Sequence, residues 1–318
     1  MTIEAAARPK AILLSGPTAS GKTDVAIHLA AHYPLEIVSV DSALVYRDMN
    51  IGTAKPTADI LAAHPHHLID LISPEETYSA ARFCGDALNA MAAINARGNT
   101  PLLVGGTMLY MKALTEGLSA MPAANGEVRA RLAARAADIG WPGMHAALQR
   151  IDPVTAQRLK PNDAQRIQRA WEVYELSGSP ISLLQNRLST ANDFPYQTLK
   201  IGLEVSIRSV LHQRIAERFA AMLANGLVEE VRGLQERYRL HAELPSMRCV
   251  GYRQTWQFLE GELTATALEE HGIAATRQLA KRQLTWQRSM QNIAMEDCLA
   301  ADLKTRVTSR VVAFLDAP

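Results

Sequence analysis

The chain has 318 residues, 48% of them hydrophobic and 20% charged, with a formal net charge of +1. That is enough for one large domain or two with a substantial core, and the near-neutral balance gives by itself no reason to expect nucleic acid as a partner. Cys84, Cys249 and Cys298 are far apart, odd in number and without a Cys-x-x-Cys pair, which argues against a disulfide framework and against a cysteine-based zinc site.

The first ten residues carry only two basic side chains, and the apolar run after them is about four long, too short for a signal segment or a membrane span. The expected location is the reducing cytoplasm, with no membrane contact. Ala11-Ile12-Leu13-Leu14 then empties into Ser15-Gly16-Pro17-Thr18-Ala19-Ser20-Gly21-Lys22-Thr23, followed by a helical pattern from Asp24 to His32. This order makes a P-loop. A buried strand delivers the backbone, Gly16 and Gly21 let main-chain N–H groups curl around phosphate oxygens, and the positive end of the next helix faces them. Lys22 adds a point charge, and the Thr23 hydroxyl is placed to hold Mg²⁺. An accidental glycine-rich turn is the bland alternative, and the flanking strand and helix count against it. The loop binds a phosphate chain without saying whose.

Leu35 to Asp41 reads as a second parallel strand ending in a carboxylate, at the edge where such sheets bind ligands. Thr53 to Pro65 reads as a short helix, His67 to Ile72 as a third strand, Ser79 to Ala96 as a long helix, and Pro101 to Thr107 as a fourth strand breaking on Gly105-Gly106. The alternation predicts a doubly wound α/β fold: a P-loop NTPase-like parallel sheet flanked by helices. From Ser119 to about Tyr196 the pattern is almost wholly helical, punctuated at Pro122, Trp141-Pro142-Gly143, Asp152-Pro153, Lys160-Pro161-Asn162 and Gly178-Ser179-Pro180. The expected organisation is therefore a core domain from residues 1–118 and 197–318, with a helical insertion domain over 119–196. Thr198 to Val205 returns to the sheet, Ser209 to Leu223 is an amphipathic helix, and the tail reads as mostly helical.

Asp41 at its strand tip fits a general base, a turn cap or a Mg²⁺ ligand equally well. Arg214 and Arg218 share a helix face and could hold phosphate or pair with surface carboxylates such as Glu217. His64-Pro65-His66-His67 lacks further ligands at helical spacing and reads as a turn before a strand. Two stretches show what the net charge hides. No acid lies between Glu270 and Glu296, where Arg277, Lys281, Arg282 and Arg288 fall, and none lies from Leu244 to Leu259, which holds Arg248 and Arg253. Cations interleaved with Tyr252 and Trp286 suit phosphate contact and base stacking, the alternative being a solvated basic face.

Gly16 to Thr23, Asp41-Ser42-Ala43-Leu44-Val45-Tyr46 and Asn50-Ile51-Gly52-Thr53-Ala54-Lys55-Pro56 together resemble the tRNA dimethylallyltransferase family in its bacterial form. So do Val104-Gly105-Gly106-Thr107-Met108-Leu109-Tyr110, Arg248 to Arg253, and Gln278 to Trp286. The resemblance spans Ala11 to about Arg288. The roughly thirty residues after it match nothing, and the three scattered cysteines lead us to expect no zinc-finger extension like that of eukaryotic relatives.

The resemblance implies transfer of a dimethylallyl group from its diphosphate to the N6 amine of the adenosine just 3′ of the tRNA anticodon, with pyrophosphate leaving. By the same resemblance Gly16, Pro17, Thr18, Ala19, Ser20, Gly21, Lys22 and Thr23 grip the diphosphate, with Mg²⁺ on Thr23. Arg218, with Arg214, neutralises the leaving group, Asp41 is the base, and Thr107 completes the catalytic set. The implied tRNA contacts are Asp41, Ser42, Ala43, Leu44, Thr107 and Arg129, then Gln165, Arg166, Ile167, Gln168 and Arg169 of the insertion. Arg248, Cys249, Val250, Gly251, Tyr252 and Arg253 follow, with Lys281, Arg282, Gln283, Leu284, Thr285, Trp286, Gln287 and Arg288. The target base must leave its stack to reach the donor. The expected partners are tRNA, through its anticodon stem-loop, and dimethylallyl diphosphate, with the protein acting as a monomer. The rival readings are a P-loop small-molecule kinase, for which only Leu68-Ile69-Asp70 offers a weak Mg²⁺-binding strand end, and a non-catalytic tRNA- or nucleotide-binding protein.

Overall fold

The computed structural model describes residues 8–186 and 194–317. The start of the segment read for a leader, and 187–193 of the helical insertion, lie outside the described residues. Two compact units emerge, Met1–Leu114 with Pro195–Pro318, and Thr115–Phe194.

The first unit is built on six parallel strands: β1 (Lys10–Ser15), β2 (Leu35–Val40), β3 (His66–His67), β4 (Thr100–Gly105), β5 (Gln197–Glu204) and β6 (Ile293–Asp297), in the order β3-β2-β4-β1-β5-β6. Ile12 and Leu14 of β1, Leu102 of β4 and Ile201 and Leu203 of β5 are buried in one core, so these strands read as apolar runs rather than alternating ones. Helices α1 (Lys22–His32), α2 (Ala58–Ala63), α3 (Ala80–Ala96) and α4 (Met108–Glu116) follow the first strands. Ser79 caps α3 by accepting the N–H of Arg82. The order places β1 between β4 and β5, so the loops leaving β1, β2 and β4 share the carboxyl edge where open α/β sheets bind ligands.

The third strand is much shorter than expected. Only His66 and His67 pair with β2, because Leu68 (φ 66°) and Asp70 (φ 55°) enter the left-handed region and turn the chain out of the sheet. Asp70 is consequently not a strand-tip carboxylate. It forms an ion pair with Lys55.

The second unit comprises α5 (Gly126–Ile151), α6 (Pro153–Arg158), α7 (Ala164–Ser177) and α8 (Ile181–Asn186), packed around Leu132, Met144, Leu148, Ile167 and Val173. The Trp141-Pro142-Gly143 punctuation falls at a break: Gly140 (φ 71°, ψ 161°) leaves the helical region, so α5 is two helices joined at a kink, with Pro142 in the first turn of the second.

The chain then runs through β5 into α9 (Arg208–Ala224), α10 (Leu227–Arg237), α11 (Tyr252–Leu259) and α12 (Ala265–Arg288), and closes with β6 and α13 (Leu303–Asp316). The reading of the tail as helical missed β6. Its sequence, Ile-Ala-Met-Glu-Asp, ends in two acids, yet Glu296 is 1% exposed because Arg306 (2.7 Å) and Arg310 (2.6 Å) of α13 hold its carboxylate. Two adjacent charges disguise a strand whose buried acid is neutralised from a helix further along.

Candidate active site

The P-loop has the geometry its residues call for. Gly21 at φ 79° occupies the N-cap of α1 in a left-handed conformation, and Ala19 adopts φ 64° despite its Cβ. Ser20 is 1% exposed, and its hydroxyl is buried without a hydrogen-bond partner. An orphaned donor inside a phosphate-binding loop fits an anion that the chain itself does not supply. Lys22 donates weakly to the carbonyl of Pro17 (3.4 Å). Burial pushes its ammonium down to about 8, opposed by the nearby charge of Asp41 and reinforced by that of Arg218. Burial likewise lowers Arg218, and Asp41 opposes it. Lys22, Asp41 and Arg218 thus sense one another electrostatically, although they come from α1, the tip of β2 and α9.

All three line one cavity of about 520 Å³. Its lining combines polar groups, Thr18, Lys22 and Arg218 among them, with apolar ones, Met108 and Leu109 from α4, Ile215, Phe219 and Met222 from α9, and Leu279 from α12. Asp41 lies beside Ser42, Ala43 and Thr107 in the lining. Oδ1 of Asp41 accepts the N–H groups of Ala43 (2.8 Å) and Leu44 (3.3 Å), so the turn-cap role is real. Among the described residues Oδ2 has no such bond, leaving one oxygen for chemistry. The Thr107 hydroxyl accepts from the Ser42 N–H (3.1 Å), and the Thr107 N–H donates to Val40 (3.2 Å), which pins the Asp41 turn to the end of β4.

The expected tRNA contacts divide. Arg248, Cys249, Val250, Arg282, Gln283 and Trp286 reach the cavity wall, and Trp286, 42% exposed, lies under the ammonium of Lys112 at 5.9 Å. Burial pushes the Cys249 thiol up to about 12, with help from Asp41 and against Arg253, so it is no nucleophile. Arg253, Lys281, Thr285 and Arg288 are exposed, and Leu284 packs beside Ile215 and Ala280.

Four of the side chains read as tRNA contacts face inward. Tyr252 is fully buried and donates to Glu230, so it offers no stacking face. Gln283, 9% exposed, accepts from the Thr18 N–H (2.9 Å) and donates to Gly106 (3.0 Å). Gln287 is fully buried and donates to Leu203 (3.1 Å). Ile167 sits in the core of the second unit. Each lies on an inward face of a helix or turn whose outward neighbours are exposed, a distinction that a run of consecutive residues hides. Gly251 is also buried, at the N-cap of α11.

Within the second unit, Arg129 (2.8 Å) and Arg169 (2.6 Å) both bind the carboxylate of Glu172, which is fully buried, while Arg166 pairs with Asp163 (2.9 Å) and Gln168 donates to the Arg129 carbonyl (3.2 Å). Gln165 is exposed. Arg214 does not join Arg218 at the cavity; its guanidinium approaches the Cys298 sulfur at 3.9 Å. Nor does Glu217 pair with either arginine, accepting instead from Gln213 (2.8 Å).

Among the described residues no cluster of three or more His, Cys, Asp or Glu side chains could hold a metal ion. Thr23 is exposed at the first turn of α1, and Asp24 is engaged by Lys304 (2.9 Å). This donor set fits a hydrated Mg²⁺ carried largely by phosphate oxygens, the usual way Mg²⁺ is held on phosphate esters.

Comparison with known proteins was made against this geometry. The family model described as IPP transferase matches residues 44–290. A tRNA dimethylallyltransferase of Methylobacillus flagellatus is 57% identical over 311 residues, covering 98% of each chain. One of Ralstonia pickettii is 56% identical, covering 100% of this chain and 99% of its own. Among solved structures, the full-length tRNA isopentenylpyrophosphate transferase of Bacillus halodurans superposes with a TM-score of 0.70 at 34% identity, covering 96% of both chains. A eukaryotic dimethylallyltransferase studied acting on tRNA gives 0.76 at 27% identity, covering 97% of this chain and 79% of that one.

Proposed function

The chain belongs to the IPP transferase family, and on that premise we propose that it transfers the dimethylallyl group of dimethylallyl diphosphate to N6 of the adenosine 3′-adjacent to the anticodon in tRNA. The observation that carries the reading is the single cavity shared by Lys22, Arg218 and Asp41: cations for a diphosphate, apolar side chains for a five-carbon chain, and a carboxylate, all in one lining.

The chemistry follows from those groups. The C1–O bond of the donor breaks, the N6–C1 bond forms, one proton leaves N6 for Oδ2 of Asp41, and pyrophosphate departs. The N6 lone pair is delocalised into the purine, so a carboxylate accepting the N6–H both orients the amine and removes the charge that bonding to carbon would create. Lys22, Arg218 and the P-loop N–H groups stabilise the negative charge gathering on pyrophosphate. Thr107, through Ser42, holds the Asp41 turn. Thr23 would hold Mg²⁺ on the diphosphate, where the ion supplies further neutralisation of the leaving group. The target adenine reaches the cavity only if extruded from its stack, and Trp286 with Arg248 and Arg282 at the wall supplies an aromatic face and cations for the flanking nucleotides.

The reading requires no second copy of the chain, and we propose action as a monomer. No helix among the described residues is long and apolar enough to cross a membrane, and a tRNA substrate argues for the cytoplasm.

The direct test is mass spectrometry of tRNA incubated with the protein, Mg²⁺ and dimethylallyl diphosphate. One added isoprenoid unit on the adenosine beside the anticodon is the expected product. Tight ATP binding with tRNA-stimulated ATP hydrolysis and no prenylated nucleoside would overturn the reading in favour of a kinase or ATPase.

A further inference from the structure

The segment Asn50 to Pro56 has no part in the chemistry above, although Gly52 and Thr53 line the cavity. In the structure it closes around a carboxylate from α10. Oε2 of Glu230 accepts the backbone N–H groups of Asn50 (3.0 Å) and Ile51 (2.7 Å), and Oε1 accepts the N–H of Gly52 (3.2 Å) and the hydroxyl of Tyr252 (2.6 Å). Successive N–H groups wrapped around an anion form a nest, and bonds to an ionised acceptor are roughly twice as strong as neutral ones.

The fourth donor gives this nest its reach. Tyr252 is fully buried and opens α11, with Gly251 alone between it and the Arg248-Cys249-Val250 turn that forms another part of the cavity wall. Burial first, and then the Glu230 charge, push its phenol well above its ordinary value, so it stays a donor. The contact is closed from the other side as well, since a Cβ on Gly52 would lie 2.5 Å from the Tyr252 ring and 2.8 Å from Leu227. Glu230 itself is not in the lining of this cavity. One carboxylate therefore ties together two chain segments, about two hundred residues apart in sequence, that meet at the wall.

We propose that Glu230 is a positioning residue for the acceptor side of the reaction: it sets the spacing between the Gly52-Thr53 edge and the Arg248-Val250 edge, and so fixes where the RNA docks, without touching either substrate. The proposal rests on the transferase reading. Glutamine cannot substitute. In one amide orientation its NH₂ faces the N–H groups of Asn50 and Ile51; in the other the Tyr252 hydroxyl can turn to accept, but the Gly52 N–H is left facing a second donor. Aspartate is one methylene short of the nest.

The test uses the full chain with Glu230→Gln, Tyr252→Phe and the double variant. It measures the dissociation constants of dimethylallyl diphosphate and of an anticodon stem-loop RNA, the KM for that RNA, and Tm. Glu230→Gln is expected to raise the stem-loop Kd and KM at least tenfold while the donor Kd stays within twofold. Tyr252→Phe, which leaves three of the four bonds in place, should give a smaller loss of the same kind, and the double variant should be no worse than Glu230→Gln. Stem-loop binding within twofold of the parent in folded Glu230→Gln overturns the proposal, as does an equal loss of donor and stem-loop. Should Glu230→Gln not fold, Tyr252→Phe decides, and parental stem-loop affinity there overturns it. A parent that forms no prenylated adenosine overturns the transferase reading and this proposal with it, whereas an active parent with an unaffected variant overturns this proposal alone.

Discussion

The side chain of Gln283 accepts a hydrogen bond from the Thr18 backbone N–H at 2.9 Å, so a helix in the acid-free basic stretch reaches directly into the phosphate-binding loop. Its amide nitrogen donates to the Gly106 carbonyl at 3.0 Å, and a Cβ on Gly106 would come within 2.2 Å of that nitrogen. Three segments, the P-loop, the end of β4 and α12, are locked by one nearly buried amide. The donor end of the cavity and the helix that presents Arg282 and Trp286 are thus held as one body within the first unit.

Gln283→Leu should therefore behave as a donor-site variant. Stranding the Gly106 carbonyl and loosening Thr18 costs about 1–3 kcal/mol, which is expected to appear as a lower Tm and a donor Kd raised roughly five- to tenfold. The stem-loop Kd should change little. Gly106→Ala should reproduce the pattern by displacing the same amide. Isothermal titration with donor and with RNA separates this from a direct tRNA contact, which would give the opposite split.

A pH dependence follows from Lys22. Its ammonium, held down to about 8 by burial, is the form that binds a diphosphate, so the cation is present below about pH 8 and lost above it. Donor affinity should be flat from pH 6.5 to 7.5 and weaken as pH rises through 8 and beyond, with proton uptake on binding in that upper range. Lys22→Arg should abolish the slope, because arginine stays charged throughout. A donor Kd independent of pH up to 9.5 in the parent would remove Lys22 from diphosphate binding.

Salt and charge should act on the acceptor instead. Removing charge at Arg248, Arg282, Lys281 and Arg288 together should reduce the salt dependence of stem-loop binding, each lost phosphate contact taking about 0.7 off the slope of log K against log salt for a single strand. Donor binding should be nearly unaffected at Lys281 and Arg288, which do not line the cavity. Filter binding from 50 to 300 mM salt reads the slope, and an unchanged slope in the quadruple variant would exclude these cations as the RNA footprint.

The arginines of the second unit give a different signature. Arg169 and Arg129 both bind a fully buried Glu172, whose carboxyl their hydrogen bonds, together with the Asn125 N–H, keep below its ordinary range against the opposing effect of burial. Arg169→Ala should cost about 1–3 kcal/mol of stability, because it leaves that carboxylate short of a partner. Arg166→Ala, which removes only a surface pair with Asp163, should cost under 1 kcal/mol. Differential scanning calorimetry distinguishes them, and equal Tm values would mean that Glu172 is satisfied without Arg169.

Sequence reading located the P-loop, β2, α3, β4 and α9 because each declares itself locally, through glycine spacing, an apolar run or a helical period. It lost what depends on partners elsewhere. β6 hides behind Glu296 and Asp297, since the arginines that neutralise Glu296 lie in the next helix. The third strand is shorter than its sequence suggests because nothing in His67 to Ile72 announces that Leu68 and Asp70 adopt positive φ. At the site, Lys22, Asp41 and Arg218 were legible as separate candidates, yet only tertiary structure brings them to one cavity. Gln283, Gln287 and Tyr252 sit in correctly identified segments but point inward, and Glu230 carries no sequence signal at all until its nest is seen.

Asp41 is where the mechanism is most exposed to test. One oxygen is spent on the turn, accepting from Ala43 and Leu44, and the other has no partner within the described chain, so the residue is both a cap and a candidate base. Asp41→Asn separates the roles, because an asparagine keeps the Oδ1 cap and the size of the side chain while losing the ability to take the N6 proton. The expected result is a fall in kcat of about 10²–10⁴, the usual worth of a positioned base, with parental Tm. Donor affinity should not weaken, and can strengthen, because the negative charge beside the diphosphate is gone. If Asp41 were instead a Mg²⁺ ligand, the same change would weaken donor binding and raise the Mg²⁺ concentration needed for half-maximal activity. Asp41→Ala removes the cap as well, and should lower both Tm and stem-loop affinity on top of the kinetic loss, since Ser42 and Ala43 line the cavity beside it. Single-turnover rates with preformed complex, measured beside the donor Kd, read chemistry apart from binding, and near-parental rates in Asp41→Asn would take the carboxylate out of the reaction.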